Sequence, residues 1–147
     1  NRAMLVTVLW RLAGEPASAA AVPFTDIEAK GYYRDALAWA YEHDIVRGTS
    51  AATFEPDADV TREQLTAILF RYAGQRGYDV SGRADLASFS DAGSVKAYAN
   101  DAMAWAVSAK LIKGTNNGAG VVLDPEGNAT RAQVATLLMR FVENLTK

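Results

Sequence analysis

One long segment occurs twice in this chain, and its last part occurs a third time. The first full copy runs over 24–74 and the second over 89–141, while the final part of the unit also occupies 1–14. Self-similarity at a period this long is typical of repeat architectures, in which each repeat is one supersecondary unit. The repeat therefore constrains the fold before any residue is considered for chemistry.

The copies differ in two informative ways. The loop between the matched blocks is three residues longer in the later copy, which is a change that surface loops tolerate. Three copies of the last part accompany only two of the first, so we interpret the chain as a fragment that starts inside a repeat. The predicted organisation is 1–22 as the C-terminal helix of a truncated first repeat plus linker, 23–77 as the second repeat, 78–87 as a linker and 88–147 as the third repeat.

Composition excludes several classes of function. Half of the residues are apolar and 22% are charged, as in a globular domain, and the net charge of -2 provides no basic field for nucleic acid or an anionic membrane. No apolar run is long enough to span a membrane. The absence of Cys excludes disulfides and thiolate metal sites.

The last part of each repeat predicts a helix. In 61–73, Thr61 and Gln64 have the spacing of a capping box, and apolar residues follow at helical spacing up to Gly74, which we expect to end the helix. The third copy repeats the pattern, whereas Met4 is expected to break the capping box of the first.

The first part of each repeat also predicts a helix, over 31–44 and 96–109, rich in Ala with a central Trp. The stretches 45–60 and 111–129 contain Gly, Asp, Asn and Pro and are predicted loops. We find no convincing strand. The predicted class is therefore all-α, with five main helices.

An Arg recurs at the first helical position of all three copies: Arg2, Arg62 and Arg131. A cation there opposes the helix macrodipole at a cost of about 0.3–1 kcal/mol. Two interpretations stay open. Each Arg either pairs with a nearby carboxylate, such as Asp26 or Asp91, or binds an anion together with the exposed N–H groups of the helix start.

Other recurring residues favour structural roles. Asp26 and Asp91 close matching Phe-x-Asp triplets, where an N-cap of a short turn is the simpler interpretation. Gly48 and Gly114 are expected to permit a positive φ or a close backbone approach.

Two tryptophans also recur. Trp39 and Trp105 occupy equivalent positions in the Ala-rich helices and are expected in the core, although a Trp that lines a groove would suit a sugar ring.

The sequence offers little support for an enzyme. His43 is the only His, and Ala109 replaces it in the other copy. No Gly-rich phosphate loop and no metal-ligand spacing appear, so we expect no catalytic residues, no metal and no cofactor.

Five motifs recur in the same order in both full copies. The first copy has Phe24-Thr25-Asp26, Tyr32 to Trp39, Ile45-Val46-Arg47-Gly48, Phe54-Glu55-Pro56 and Thr61-Arg62-Glu63-Gln64. The later copy has Phe89-Ser90-Asp91, Tyr98 to Trp105, Leu111-Ile112-Lys113-Gly114, Leu123-Asp124-Pro125 and Thr130-Arg131-Ala132-Gln133. This order resembles the S-layer homology (SLH) family, with Met4, Gln64 and Gln133 in place of the Glu of its Thr-Arg-Ala-Glu motif.

The resemblance implies a fold and a function that the spacing alone does not. Such modules form pseudo-threefold helical assemblies and anchor exported proteins to the bacterial cell wall, which implies an extracellular location. Their usual ligand is a secondary cell-wall polysaccharide that often bears anionic pyruvate ketals. Motif position then implies these binding residues: Arg2, Arg62, Arg131, Trp39, Trp105, Gly48, Gly114, Asp26 and Asp91.

A second hypothesis is a protein-interaction or self-assembly module. The truncated first repeat leaves apolar residues such as Trp10 and Leu12 without their own preceding helix, and exposed apolar surface of this kind favours self-association.

Overall fold

The chain folds into helices joined by loops, which confirms the all-α prediction. The computed structural model describes residues 1–28, 30–116, 118 and 120–145. Within these residues the α-helices are α1 (Arg2–Leu12), α2 (Arg34–Glu42), α3 (Arg62–Gln75), α4 (Ala97–Ser108) and α5 (Arg131–Leu145). Two short 3-10 turns, Leu86–Ser88 and Ala92–Ser94, precede α4. None of the described helices is long and apolar enough to cross a membrane.

The helix starts follow the predicted capping pattern. Thr61 Oγ1 accepts a hydrogen bond from the Gln64 N–H at 3.2 Å, and Gln64 Oε1 accepts one from the Thr61 N–H at 3.0 Å. Thr130 and Gln133 form the same pair of bonds at the start of α5. These bonds satisfy N–H groups that have no partner within the helix.

Two predictions about helix ends were wrong. Asn1 Oδ1 accepts a hydrogen bond from the Met4 N–H at 2.8 Å, and the Asn1 amino group contacts the Met4 sulfur at 3.9 Å, so Met4 keeps the capping box. The polarizable sulfur accepts weakly where a carboxylate would accept strongly. Gly74 does not end α3, because the helix continues to Gln75 and the left-handed residue is Gly77, with φ of 82°.

The expectation of no strand was also wrong, because the structure contains a small hairpin. β1 (Thr115–Asn116) pairs antiparallel with β2 (Val121–Val122) in the longer loop of the third repeat. Gly118 and Gly120 lie between them with φ of 89° and 147°, which lets the chain reverse. Strands of two residues are too short for a period-two pattern to reveal them.

The chain divides into two compact units, Asn1–Asp59 and Val60–Lys147. In the first, α1 packs against α2 over a core that includes Leu9, Leu37, Trp39, Ile45 and Phe54. In the second, α3 packs against α4, and its fully buried side chains include Leu65, Leu69, Met103, Trp105, Leu111 and Phe141. The boundary between the units falls inside the predicted repeat 23–77.

Each unit joins the last helix of one repeat to the first part of the next. At the start of α1, the Arg2 and Ala3 N–H groups donate to the carbonyls of Ala58 and Pro56, at 3.1 and 2.9 Å. In the second unit, Arg62 and Glu63 donate in the same way to Gly127 and Pro125, at 2.9 and 3.0 Å. The loop of the following repeat therefore satisfies two of the orphan N–H groups of each helix.

Candidate functional site

The two Phe-x-Asp carboxylates fasten the opening of each repeat to its own loop. Asp26 accepts hydrogen bonds from the Phe54 and Glu55 N–H groups at 2.9 and 2.8 Å. Asp91 accepts the equivalent bonds from Leu123 and Asp124, both at 2.8 Å. Asp91 stands at the N-cap position of a 3-10 turn, but its side chain makes no capping hydrogen bond there, so the predicted capping interaction was wrong for Asp91. The carboxylates hold instead a loop with left-handed backbone at Glu55 and Asp124, where φ is 55° and 51°.

The hydrogen bonds to Asp26 also fix its charge state. Burial alone would raise the pKa of the Asp26 carboxyl, but the N–H groups of Phe54 and Glu55, with the nearby Arg2 charge, outweigh it. The pKa consequently lies below its ordinary value, and the carboxylate is ionised at neutral pH.

Gly48 and Gly114 allow a close approach of the backbone to the aromatic ring that opens each repeat. A Cβ at Gly48 would collide with the Ser50 carbonyl and the Phe24 ring. One at Gly114, where φ is 81°, would collide with the Phe89 ring. The structural expectation for both glycines is confirmed.

Trp39 and Trp105 lie in the core. Their exposed fractions are 2% and 1%, and the Trp105 indole N–H donates to the Asp79 carbonyl at 3.3 Å. Rings so buried present no face to a sugar in this conformation. Their assignment to polysaccharide binding stays a prediction, and any contribution would act through packing.

The three recurring arginines occupy three different environments. Arg2 is buried, and its guanidinium donates to the carbonyls of Phe54 and Arg47 at 2.7 and 2.9 Å. Arg62 NH1 donates instead to the exposed Asp124 carboxylate at 2.8 Å. Arg131 lies exposed at the first position of α5. Of the three arginines, only Arg2 is buried with its guanidinium bonded to backbone carbonyls, which indicates a structural role.

A pocket of about 270 Å³ lies beside Arg62 within the second unit. Three cationic side chains line it, from Arg62, Lys113 and Arg140, and none of its described lining residues carries a carboxylate. Gly114 also lines the pocket, so the structure brings two of the predicted site residues together here. A concave surface with several cations and no lining carboxylate favours an anionic ligand.

The lining of the pocket combines apolar residues with hydrogen-bonding ones. Leu65, Leu111 and Leu137 are among the apolar lining residues, and Thr66 and Gln133 are among the polar ones. This mixture suits a ligand with both C–H surface and polar groups, as a sugar has.

Lys113 and Arg140 were missed as site residues, although the sequence carried a signal for each. A basic residue precedes the loop glycine in both full repeats, as Arg47 and Lys113, and Arg140 matches Arg71. Lys113 is exposed, whereas Arg140 NH1 donates to the Leu111 carbonyl at 3.2 Å. Lys113 therefore has the greater freedom to meet a ligand.

Comparison with known proteins shows a match over both full repeats. The model of the S-layer homology domain matches residues 23–66 and 88–135, which together make up more than half of the chain.

Individual relatives are large proteins of which this chain resembles a small part. It is 33% identical to the surface-layer 125 kDa protein of Lysinibacillus sphaericus over 84% of the chain and 10% of that protein. An endoglucanase of Bacillus sp. (strain KSM-635) is 31% identical over 85% of the chain and 12% of the enzyme. An amylopullulanase of Thermoanaerobacterium thermosulfurigenes is 29% identical over 82% of the chain and 6% of the enzyme.

Proposed function

Because the chain belongs to the S-layer homology family, we propose that it anchors a protein to the bacterial wall by binding an anionic secondary cell-wall polysaccharide. Domains of this family are cell-wall anchoring modules, which places the chain at the cell surface. We further propose that pyruvate ketals supply the negative charge of the ligand and that the chain itself is noncatalytic.

The observation that carries the proposal is the pocket beside Arg62. Its three cations and its apolar lining residues match a sugar that bears a carboxylate. A chain with a net charge of -2 has no general attraction for polyanions, so binding has to come from such a local cluster.

The other predicted site residues take supporting roles in this proposal. Asp26, Gly48 and Arg2 stabilise the loop of the first unit, and Asp91 stabilises the equivalent loop of the second. Arg131 is exposed and stays a candidate for direct contact with the polymer.

A sedimentation assay with purified bacterial sacculi tests the ligand class. The chain should sediment with sacculi that retain their secondary polymer and stay in solution when that polymer has been removed by acid. Binding that persists on bare peptidoglycan would contradict the polysaccharide proposal. Because the attraction is electrostatic, added salt should weaken the binding.

A matched pair of lysine variants tests the pocket. Lys113→Gln removes a cation from the lining, whereas Lys110→Gln removes another exposed cation that does not line the pocket. We expect Lys113→Gln to weaken polymer binding roughly fivefold, for a loss of about 1 kcal/mol, and Lys110→Gln to leave it unchanged. Equal effects of the two variants would show that the pocket is not the binding site.

Self-association is a second candidate function, favoured by one observation. Val8 and Leu12 are exposed one helical turn apart on α1, while Trp10 is partly buried and its indole N–H donates to the Pro16 carbonyl at 2.9 Å. If this apolar surface pairs chains, sedimentation velocity should detect a dimer that Leu12→Lys abolishes. A monomer at all concentrations would exclude it.

A further inference from the structure

Arg62 and Arg2 occupy equivalent positions on equivalent helices but place their guanidinium groups differently. The backbone around them is the same, since both N–H groups donate to the carbonyl at the same position of the following loop, Gly127 for Arg62 and Ala58 for Arg2. Arg2 turns inward to two carbonyl oxygens, whereas Arg62 lies beside Asp124 with 23% of its side chain exposed.

Three residue differences surround the two guanidinium groups. The Arg2 guanidinium lies 4.7 Å from the centre of the Phe54 ring, which Leu123 replaces in the second unit. Glu55 stands in the place of Asp124, and Ala58 in the place of Gly127. A Cβ placed on Gly127 would overlap Arg62 NH1 and the carboxylate of Asp124. In the first unit the corresponding residue is Ala58, which carries such a Cβ. Gly127 therefore leaves open the position that the Arg62 guanidinium occupies, whereas Ala58 and the Phe54 ring favour the inward position of Arg2.

The partner of Arg62 in that position is weakly held. The side chain of Asp124 is 57% exposed, and ion pairs so open to water contribute little net free energy. Replacing the Asp124 carboxylate by a carboxylate of a ligand therefore costs little free energy. Arg62 also lines the pocket in which such a ligand would lie.

We propose that Gly127 makes Arg62 an adjustable anion-binding residue, and that Asp124 holds its guanidinium until an anionic group of the ligand displaces the carboxylate. This inference rests on the proposed function, because it describes how a ligand in the same pocket would gain access to the Arg62 guanidinium. Gly127 and Asp124 are positioning residues that act through Arg62.

Two substitutions with opposite expected signs test the proposal. Asp124→Asn removes the competing charge and should tighten binding of the polymer fraction released from sacculi by about twofold to fivefold. Gly127→Ala should crowd Arg62 out of its position and weaken binding by a similar factor. Ala58→Gly is the matched control in the first unit and should leave binding at this pocket unchanged.

A ligand-free measurement separates this inference from the proposed function. The Arg62 Nε–H resonance, assigned through Arg62→Lys, should shift in Gly127→Ala and Asp124→Asn and stay in place in Ala58→Gly. Unchanged resonances, or equal affinity of all variants for a polymer that the wild type binds, would overturn the inference alone. If the wild type does not bind the polymer but the resonance shifts are present, the proposed function is overturned. The inference that Gly127 and Asp124 position Arg62 would then still hold.

Discussion

At the level of single residues, the strongest recurrences reflect contacts that build the repeat. Asp26 and Asp91 each receive two backbone N–H groups from a loop that contains a left-handed, non-glycine residue. Such a backbone conformation is costly for residues other than glycine, so surrounding contacts must hold it. The carboxylate supplies that contact in both copies.

Replacement of Asp26 by Asn should therefore destabilise the fold in a pH-dependent way. The amide offers one acceptor oxygen to two N–H groups. We therefore expect the free energy of unfolding to fall by about 1 kcal/mol at pH 7, a small loss because the site is exposed to water. The folded pKa of Asp26 lies below its ordinary 3.8, so its contribution is complete above that pH and is lost as the pH falls through the lower folded value.

Urea denaturation between pH 7 and pH 3 measures this effect. The difference between the wild type and Asp26→Asn should shrink below about pH 4. Asp57→Asn removes the same charge from the neighbouring loop and is the control. A difference that stayed constant with pH would show that the carboxylate charge is not what stabilises the loop.

Sequence reasoning recovered the local capping boxes made by familiar residue types, missed the local one in which Met4 takes part, and could not predict the geometry of distant contacts. The capping box of Thr61 and Gln64 spans three residues and is visible as a motif. The bond from the Phe54 N–H to Asp26 spans 28 residues, so its geometry depends on how the whole repeat closes. The different environments of Arg62 and Arg2 depend on distant residues, among them Phe54 beside Arg2 and Gly127 beside Arg62.

At the level of helices, a buried carboxylate on α3 caps α4. Glu63 is 1% exposed and accepts hydrogen bonds from the Lys96 backbone N–H and ammonium group, at 3.1 and 2.8 Å. Lys96 is the N-cap residue of α4 and has no side-chain cap of its own. Ala3 and Ala132 stand at the matching positions of α1 and α5, so this link belongs to the second unit's α3 alone among the three copies.

The two carboxylates near Lys96 allow a controlled test of this link. Glu126 lies 3.5 Å from the same ammonium group but is exposed. We expect Glu63→Gln to lower the free energy of unfolding by about 1–3 kcal/mol, because a buried charged hydrogen bond is lost, and Glu126→Gln to change it by less than about 0.5 kcal/mol. Thermal melts would measure both, and equal losses would contradict a capping role for Glu63.

At the level of the whole molecule, the compact units and the sequence repeats have different boundaries. The N–H groups at the start of α3 are satisfied by Pro125 and Gly127 of the following repeat, and α3 packs against α4. A fragment cut at the ends of a sequence repeat, such as 23–77, therefore contains α3 but lacks the residues that bond to its start and the helix that packs against it.

This difference predicts which fragments fold. Residues 60–147 should give a helical, cooperatively melting domain by circular dichroism, because they form one compact unit. Residues 23–77 should show weaker helicity and no cooperative transition, since α2 and α3 would each lack the helix that they pack against in the chain. Cooperative melting of 23–77, with disorder in 60–147, would contradict the assignment.

The hydrogen bonds at the starts of α1 and α3 also determine how such a protein can be recombined. The boundary between the units precedes the last helix of the repeat 23–77, so the segment that is duplicated and the segment that folds are out of phase by one helix, as in a circular permutation. A chimera that exchanges one sequence repeat for a homologous one consequently creates two mismatched junctions. Crossovers placed at a helix N-cap, such as Thr61, would instead transfer an intact set of contacts from one parent to the other.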